Sequence, residues 1–228
     1  MSAIARRGRG RPVRMSRDVV IATAERILRT AGHAGFSMRG LADELGISTA
    51  AIYHHFPTKA ALFTAVLSVR AEELRRPELP EAPRERIVAI VDYLIETLHD
   101  MPWVIDVLVA GESFGRAAMW ILDEFVGAAV ESGMSDEYAG YMYGVAWRFV
   151  VGELMMRRAE AERVAAEKNG DPRPRWTDDV SDELAEYPVV VRMMPKWDAI
   201  RVDYDSAAAV AALIDGLLVA GAEFRGAE

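Results

Sequence analysis

The chain has 228 residues, no cysteine and a formal net charge of −8. Without cysteine there is no disulfide framework, no thiolate zinc site and no cysteine nucleophile, which agrees with a reducing compartment. Hydrophobic residues make up 51% and charged residues 27%, enough to bury a core and unlike a disordered composition. The net charge describes neither end of the chain. Residues 1–60 carry ten Lys or Arg against four acids, a balance of +6, while the remainder carries 17 against 31, a balance of −14. A basic head on an acidic body predicts that only the head meets a polyanion.

Residues 1–15 are basic, hold Gly and Pro, and show no apolar period, so they read as a flexible arm. The arm lacks the apolar run of a secretory signal, although a transit peptide would share its arginine-rich, acid-poor make-up. No apolar stretch approaches the ~20 residues that span a bilayer. The expectation is a cytoplasmic protein with no membrane partner.

Val20, Ala24, Ile27, Leu28 and Ala31 fall on one helical stripe, which Gly32 and Gly35 stop. Ser37 caps a short helix to Leu45, Gly46 permits a tight turn, and Ser48 caps a second short helix through His55. Pro57 ends that helix, and Thr58 caps the next, which is predicted to run to about Arg76. The three prolines of residues 77–83 form a hinge or loop. Further helices are expected at 84–100, Trp103 to Ala110 and Phe114 to Glu131. A long helix follows from the cap Ser135 to about Lys168, where Asn169-Gly170 stops it. Ser181 to about Trp197 reads as a helix interrupted at Pro188 and Pro195, and a last helix runs from Asp205 or Ser206 to about Phe224. Only the short Pro188–Met194 run suggests strand.

The pair Ser37–Leu45 and Ser48–His55 around a glycine turn has the size and spacing of a helix-turn-helix. A helix that enters a major groove needs a small, polar first turn, and Ser48-Thr49-Ala50-Ala51 supplies one. Ile52 packs behind it, while Tyr53 and His54 project where phosphate oxygens can accept their hydrogen bonds. Lys59 adds charge at the next helix start. The same serine and threonine also serve as plain caps, and Tyr53-His54-His55 as plain surface aromatics; the charge split favours DNA.

The run FSMRGLADELGISTAAIYHHFPTKAALFTAVL, Phe36 to Leu67, resembles the DNA-binding domain of the TetR family of transcriptional repressors. The shared pattern is Ser/Thr-x-Arg before Leu-Ala-x-x-Leu-Gly-(Val/Ile)-Ser, then Tyr-x-His-Phe-x-x-Lys. With the first helix, the resemblance covers residues 17–70. It implies an all-α protein: a three-helix helix-turn-helix head and a larger helical ligand-binding and dimerisation domain. The domains would be the arm 1–15, a DNA-binding domain 16–76 and a sensor 77–228. It also implies a homodimer on a double-stranded operator, released by a small-molecule effector. By matching position, Arg39 would reach a base edge or phosphate from helix two. Thr49 and Ala50 would face bases, with Ala50 against a thymine methyl. Each half-site would be read by Ser48–His54, with Tyr53, His54 and Lys59 fixing phosphates. His54 stands where the family commonly carries another aromatic or polar residue. In the arm, Gly8-Arg9-Gly10-Arg11-Pro12 resembles an AT-hook core, which would place Arg9 and Arg11 in a narrow A·T minor groove. A phosphate-attracted tail without base preference is the other reading, and both deepen the salt dependence of binding.

Gly111-Glu112-Ser113-Phe114-Gly115 matches a nucleophile elbow by pattern, but that motif needs a preceding strand and a later histidine. All four histidines, His33, His54, His55 and His99, come before it. The expectation is no enzyme, no cofactor and no metal; adjacent His54 and His55 diverge by ~100° on a helix and make a poor metal pair. In the acidic body, Trp103, Phe114, Trp120, Tyr141 and Trp147 can line an apolar effector pocket, with His99, Arg148 and Glu153 to orient a ligand. Ordinary core packing also accounts for such aromatics. The alternative function is a ligand-independent architectural DNA-binding dimer.

Overall fold

The computed structural model describes residues 16–111, 116–171, 184 and 186–225. All regular structure among them is helical. The α-helices are α1 (Arg17–Gly35), α2 (Met38–Leu45), α3 (Thr49–His55), α4 (Lys59–Glu72), α5 (Pro83–His99), α6 (Pro102–Val109), α7 (Met119–Glu131), α8 (Asp136–Lys168), α9 (Pro188–Met193), α10 (Trp197–Val202) and α11 (Ser206–Arg225). Single turns of 3₁₀ helix lie at Arg116–Ala118 and Met194–Lys196.

The described residues fall into two compact units: one from Met1–Leu74 with Asp106–Ala117, the other from Arg75–Ile105 with Ala118–Glu228. The division runs through α6, with Asp106–Ala117 grouped in the first unit.

In the first unit, α1 packs on α2 and α4, and α2 on α3. The helices start where side chains can satisfy first-turn amides. Ser16 Oγ accepts from the Val19 amide at 3.3 Å, Ser37 Oγ from Gly40 at 3.0 Å, Ser48 Oγ from Ala51 at 3.2 Å, and Thr58 Oγ1 from Ala61 at 3.0 Å. Between α2 and α3, Gly46 adopts φ +66°, and the Ile47 amide reaches back to Ala42 O at 3.0 Å. This left-handed corner is open to glycine at little cost. The core between these helices is Val20, Ala24, Leu28, Leu41, Ile52, Phe56, Leu62 and Phe63. Gly32 leaves the helical conformation (φ +68°, ψ 179°), and only a short turn to Gly35 follows it, so the two glycines close α1 as expected. α4 stops at Glu72, before the predicted Arg76.

In the second unit, α5 packs on α7, α8 and α11, and α8 on α7 and α11. Its buried stripe, Ile87, Ile90, Val91, Leu94, Ile95 and Leu98, has helical spacing. Two arginines tie its first turns to neighbours. Arg84 donates to both carboxylate oxygens of Asp215 on α11 at 2.7 and 2.8 Å, which holds the Asp215 carboxyl below its ordinary range. Arg86 donates to Glu131 on α7 at 3.1 and 3.0 Å. α8 is about 50 Å long at 1.5 Å per residue. Ser135 caps it, accepting from the Tyr138 amide at 3.2 Å. α11 lies against it so closely that a Cβ on Gly221 would overlap the Met134 sulfur and the Tyr138 ring.

Two sequence expectations are corrected. α7 begins at Met119 after a 3₁₀ turn, whereas the predicted start, Phe114, lies outside the described residues. The one candidate strand, Pro188–Met194, is instead α9 with its following turn. Pro188 stands in the first helical turn, where a missing amide costs no intrahelical bond. Among the described residues no single helix is long and apolar enough to cross a membrane; Pro188–Val202 and Ser206–Ala222 reach the length only as a pair bent by 102°.

Candidate nucleic-acid interface and effector cleft

The first unit presents α3 as its outer short helix. Ile52 is fully buried beneath it, Thr49 is half-buried, and Ala50 and His54 are exposed. Tyr53 is 46% exposed. Thr49, Ala50, Tyr53 and His54 therefore share a helix whose opposite side is anchored. Ser48 is exposed, but its hydroxyl already accepts the Ala51 amide. It still has an O–H to donate. The His54 and His55 rings meet edge-on at 5.7 Å.

The predicted cations are placed differently from one another. Arg39, on α2, has a side chain 88% exposed and only a loose approach of 3.9 Å to Asp43. Lys59 is half-buried: its Nζ lies 3.4 Å from His33 Nε2 and 5.0 Å from the Phe63 ring centre. Arg9 and Arg11 lie outside the described residues. Sequence reasoning passed over Arg17, whose guanidinium sits 4.4 Å from the Phe56 ring centre at the end of α3. Arg26, another head cation, is neutralised by Glu44.

The second unit holds an open cleft of about 180 Å³ between the end of α5, the start of α6 and the middle of α8. Leu98, Pro102, Ile105, Leu154, Met155 and Ala161 form its apolar walls, with His99 and Arg158 at the edges. Leu154, Arg158 and Ala161 recur at i, i+4 and i+7, one face of a helix. That spacing was the available signal, yet the reading weighted aromatics instead. Among the described residues, His99 is the one predicted effector residue that lines this cleft. Trp103 is 6% exposed and belongs to the core. Trp120 packs with Tyr93 at 5.7 Å and under the Arg76 guanidinium at 5.0 Å. Tyr141 is 60% exposed beside Tyr138, Trp147 is half-buried, and Arg148 donates to its own helix at Gly144 O, 2.8 Å. Phe114 lies outside the described residues. Glu153 is engaged on both oxygens, by Arg157 at 2.8 Å and by the Tyr204 hydroxyl at 3.0 Å. Partial burial, with the bond to Glu153, pushes the Tyr204 phenol up to about 12. Arg157 also donates to Glu96 at 2.9 Å and Ser206 at 2.8 Å, joining α5, α8 and α11. Helix α6, not a strand, leads toward the elbow-like motif.

A helix-turn-helix with an exposed, small-residue outer helix, in one chain with a separate helical unit, is the architecture of a DNA-binding transcriptional regulator. The chain belongs to the tetR family of bacterial regulatory proteins. The model of that family matches residues 20–66, and that of the tetracyclin repressor-like C-terminal domain matches residues 76–220. It is a DNA-binding transcriptional regulator.

Solved structures agree in fold. The Streptomyces coelicolor TetR family protein ActR, in complex with (S)-DNPA, is 22% identical, with a TM-score of 0.66 over 91% of this chain and 99% of that one. ActR in complex with actinorhodin gives 21% identity and 0.67, over 91% and 97%. Mycobacterium smegmatis BioQ gives 22% identity and 0.60, over 90% and 98%. No curated protein matches the chain at a significant level.

Proposed function

We propose that the chain is a cytoplasmic, homodimeric repressor released from its operator by a small hydrophobic or aromatic ligand. Residues 16–76 form the reader, 77–228 the sensor and dimerisation part, and 1–15 an arm whose Arg9 and Arg11 track the flanking minor groove. Thr49 and Ala50 face bases; Arg39, Tyr53, His54 and Lys59 hold phosphates, and Ser48 fixes the start of the reading helix. The observation that carries the reader is α3 itself: a capped helix with a buried Ile52 on one side and Ala50, Tyr53 and His54 exposed on the other. Dimerisation uses α8 and α11, where Tyr141, Met156 and Val219 remain exposed. Regulation is the whole activity on this reading, with no enzymatic step.

Tyr53→Ala is expected to weaken binding to all duplexes alike, and Thr49→Ala to relax base preference with less loss of overall affinity. Binding to a duplex enriched by the wild-type protein from a random-sequence pool, and to single-base variants of it, measures both. Wild-type behaviour of both variants sinks the assignment of α3.

What supports the sensor is the apolar cleft, together with the bound ligands of ActR, a protein of the same fold. A panel of hydrophobic and aromatic compounds is expected to include one that raises the melting temperature, because a ligand binding only the native state stabilises it by mass action. Leu154→Trp, which fills the cleft, is expected to remove that shift. A panel without effect favours the ligand-independent architectural dimer.

A further inference from the structure

We propose that Arg17 is a phosphate-clamping residue of the reading head, positioned by Phe56 at the far end of the recognition helix; this rests on the reading that α3 docks in the major groove.

Arg17 is the first residue of α1, one position after its cap Ser16. Phe56 closes α3: its amide donates to Ile52 O at 2.9 Å, and its ring is fully buried. Pro57 and the cap Thr58 follow at once, so Phe56 is the corner joining α3 to α4. The Arg17 guanidinium lies 4.4 Å from the centre of that ring. The start of α1 and the corner between α3 and α4 thus meet at this cation.

Two properties in combination set this arginine apart from the other cations described in the first unit: Arg29 is also exposed without an ion pair, and Lys59 also lies over aromatic rings, but Arg17 has both features. The first is availability. Arg26 is paired with Glu44, and Arg70 donates to Glu73 at 2.8 Å. Among the described residues, Arg17 makes no ion pair, and its residue is exposed. The second is order. An exposed arginine normally loses much rotamer freedom when it grips a phosphate. A guanidinium already seated on an aromatic ring has given up part of that freedom in the free protein. Its five N–H donors remain free to form a fork on a phosphate, a geometry that an ammonium cannot reproduce.

The location fits a phosphate better than a base. The first turn of α3 carries the small residues that can approach base edges, and Arg17 sits at the opposite end with Tyr53 and His54. A contact there fixes register and orientation without reading sequence. It also continues the basic arm, which ends immediately before Ser16, onto the folded surface.

The test uses the full-length protein and a duplex enriched by the wild type from a random-sequence pool, titrated across a salt series. Arg17→Ala is expected to weaken binding roughly tenfold per protomer. The slope of log affinity against log salt should become shallower by about 1 per protomer, equally on enriched and scrambled duplexes. Arg17→Lys is expected to restore most of the slope but only part of the affinity. A structural staple would lower the melting temperature and leave the slope untouched, so an unchanged slope in Arg17→Ala overturns the proposal. If the alanine variant fails to fold, Arg17→Lys decides: wild-type affinity with lysine overturns the role of the fork and the ring. A wild type that enriches no duplex overturns the reading of α3 beneath it.

Discussion

Phe63→Ala is expected to destabilise the reading head by about 3–5 kcal/mol, the usual cost of emptying a fully buried aromatic site. Phe63 is fully buried on α4. Its ring meets Phe36 edge-on at 4.9 Å and His33 at 5.6 Å, and the Lys59 ammonium lies 5.0 Å from its centre. Truncation removes the transfer energy of the ring, leaves a cavity between α1 and α4, and strips Lys59 of its aromatic partner. The sum is a large fraction of the about 5–15 kcal/mol that holds a typical protein folded. Chemical denaturation followed by a probe in each unit measures it. The head's midpoint should fall well below that of the body, and DNA binding should be lost under conditions that leave the body's helices folded. A loss smaller than about 1 kcal/mol would mean that the head repacks around the gap.

Gly221→Val is expected to be the most damaging small substitution in the second unit. A Cβ at this position has nowhere to go between the Met134 sulfur and the Tyr138 ring. Tyr138 cannot simply swing aside, because its hydroxyl donates to Leu217 O on α11 at 2.9 Å. Replacing glycine within a helix normally gains up to about 1 kcal/mol of propensity, less for a β-branched residue. Overpacking costs about 1–3 kcal/mol and wins here, since two side chains must shift together. The readout is the melting transition of the body together with the oligomeric state in solution. A Gly221→Val protein as stable and as dimeric as wild type would show that α11 can slide along α8 without cost.

Legibility in the sequence followed the range of the interactions. The caps Ser37, Ser48, Thr58 and Ser135 were readable because each acts on an amide three residues away. The length of α8 was readable because Ser135 and Asn169-Gly170 bracket it. The end of α1 was readable because Gly32 leaves the helical conformation at a positive φ that glycine accepts at little cost, and the helix closes at Gly35. Pro188-Val-Val-Val suggested strand because β-branched residues dominate locally, yet a proline at the first helical position outweighed them. The face of α3 was legible because a short helix with one apolar anchor leaves few orientations. The cleft was not. Leu98 and Leu154 stand far apart in the chain, and only the packing of α5 against α8 brings them together. Bulky aromatics drew attention that smaller aliphatic residues held in space. The position of Arg17 was likewise invisible, since nothing in the chain records that α1 begins beside the end of α3.

The fastening of α3 at both ends has a thermodynamic consequence for recognition. Seven residues are far too few to hold a helix on their own in water. Here Ser48 closes the first turn, Ile52 and Phe56 are sunk in the core, and the Phe56 amide completes the last turn. The entropy of ordering the reading surface is therefore offset during folding, before any nucleic acid arrives. Association then has to order only side-chain tips on α3, so discrimination between sequences arises from contacts at the groove and not from a coil-to-helix transition.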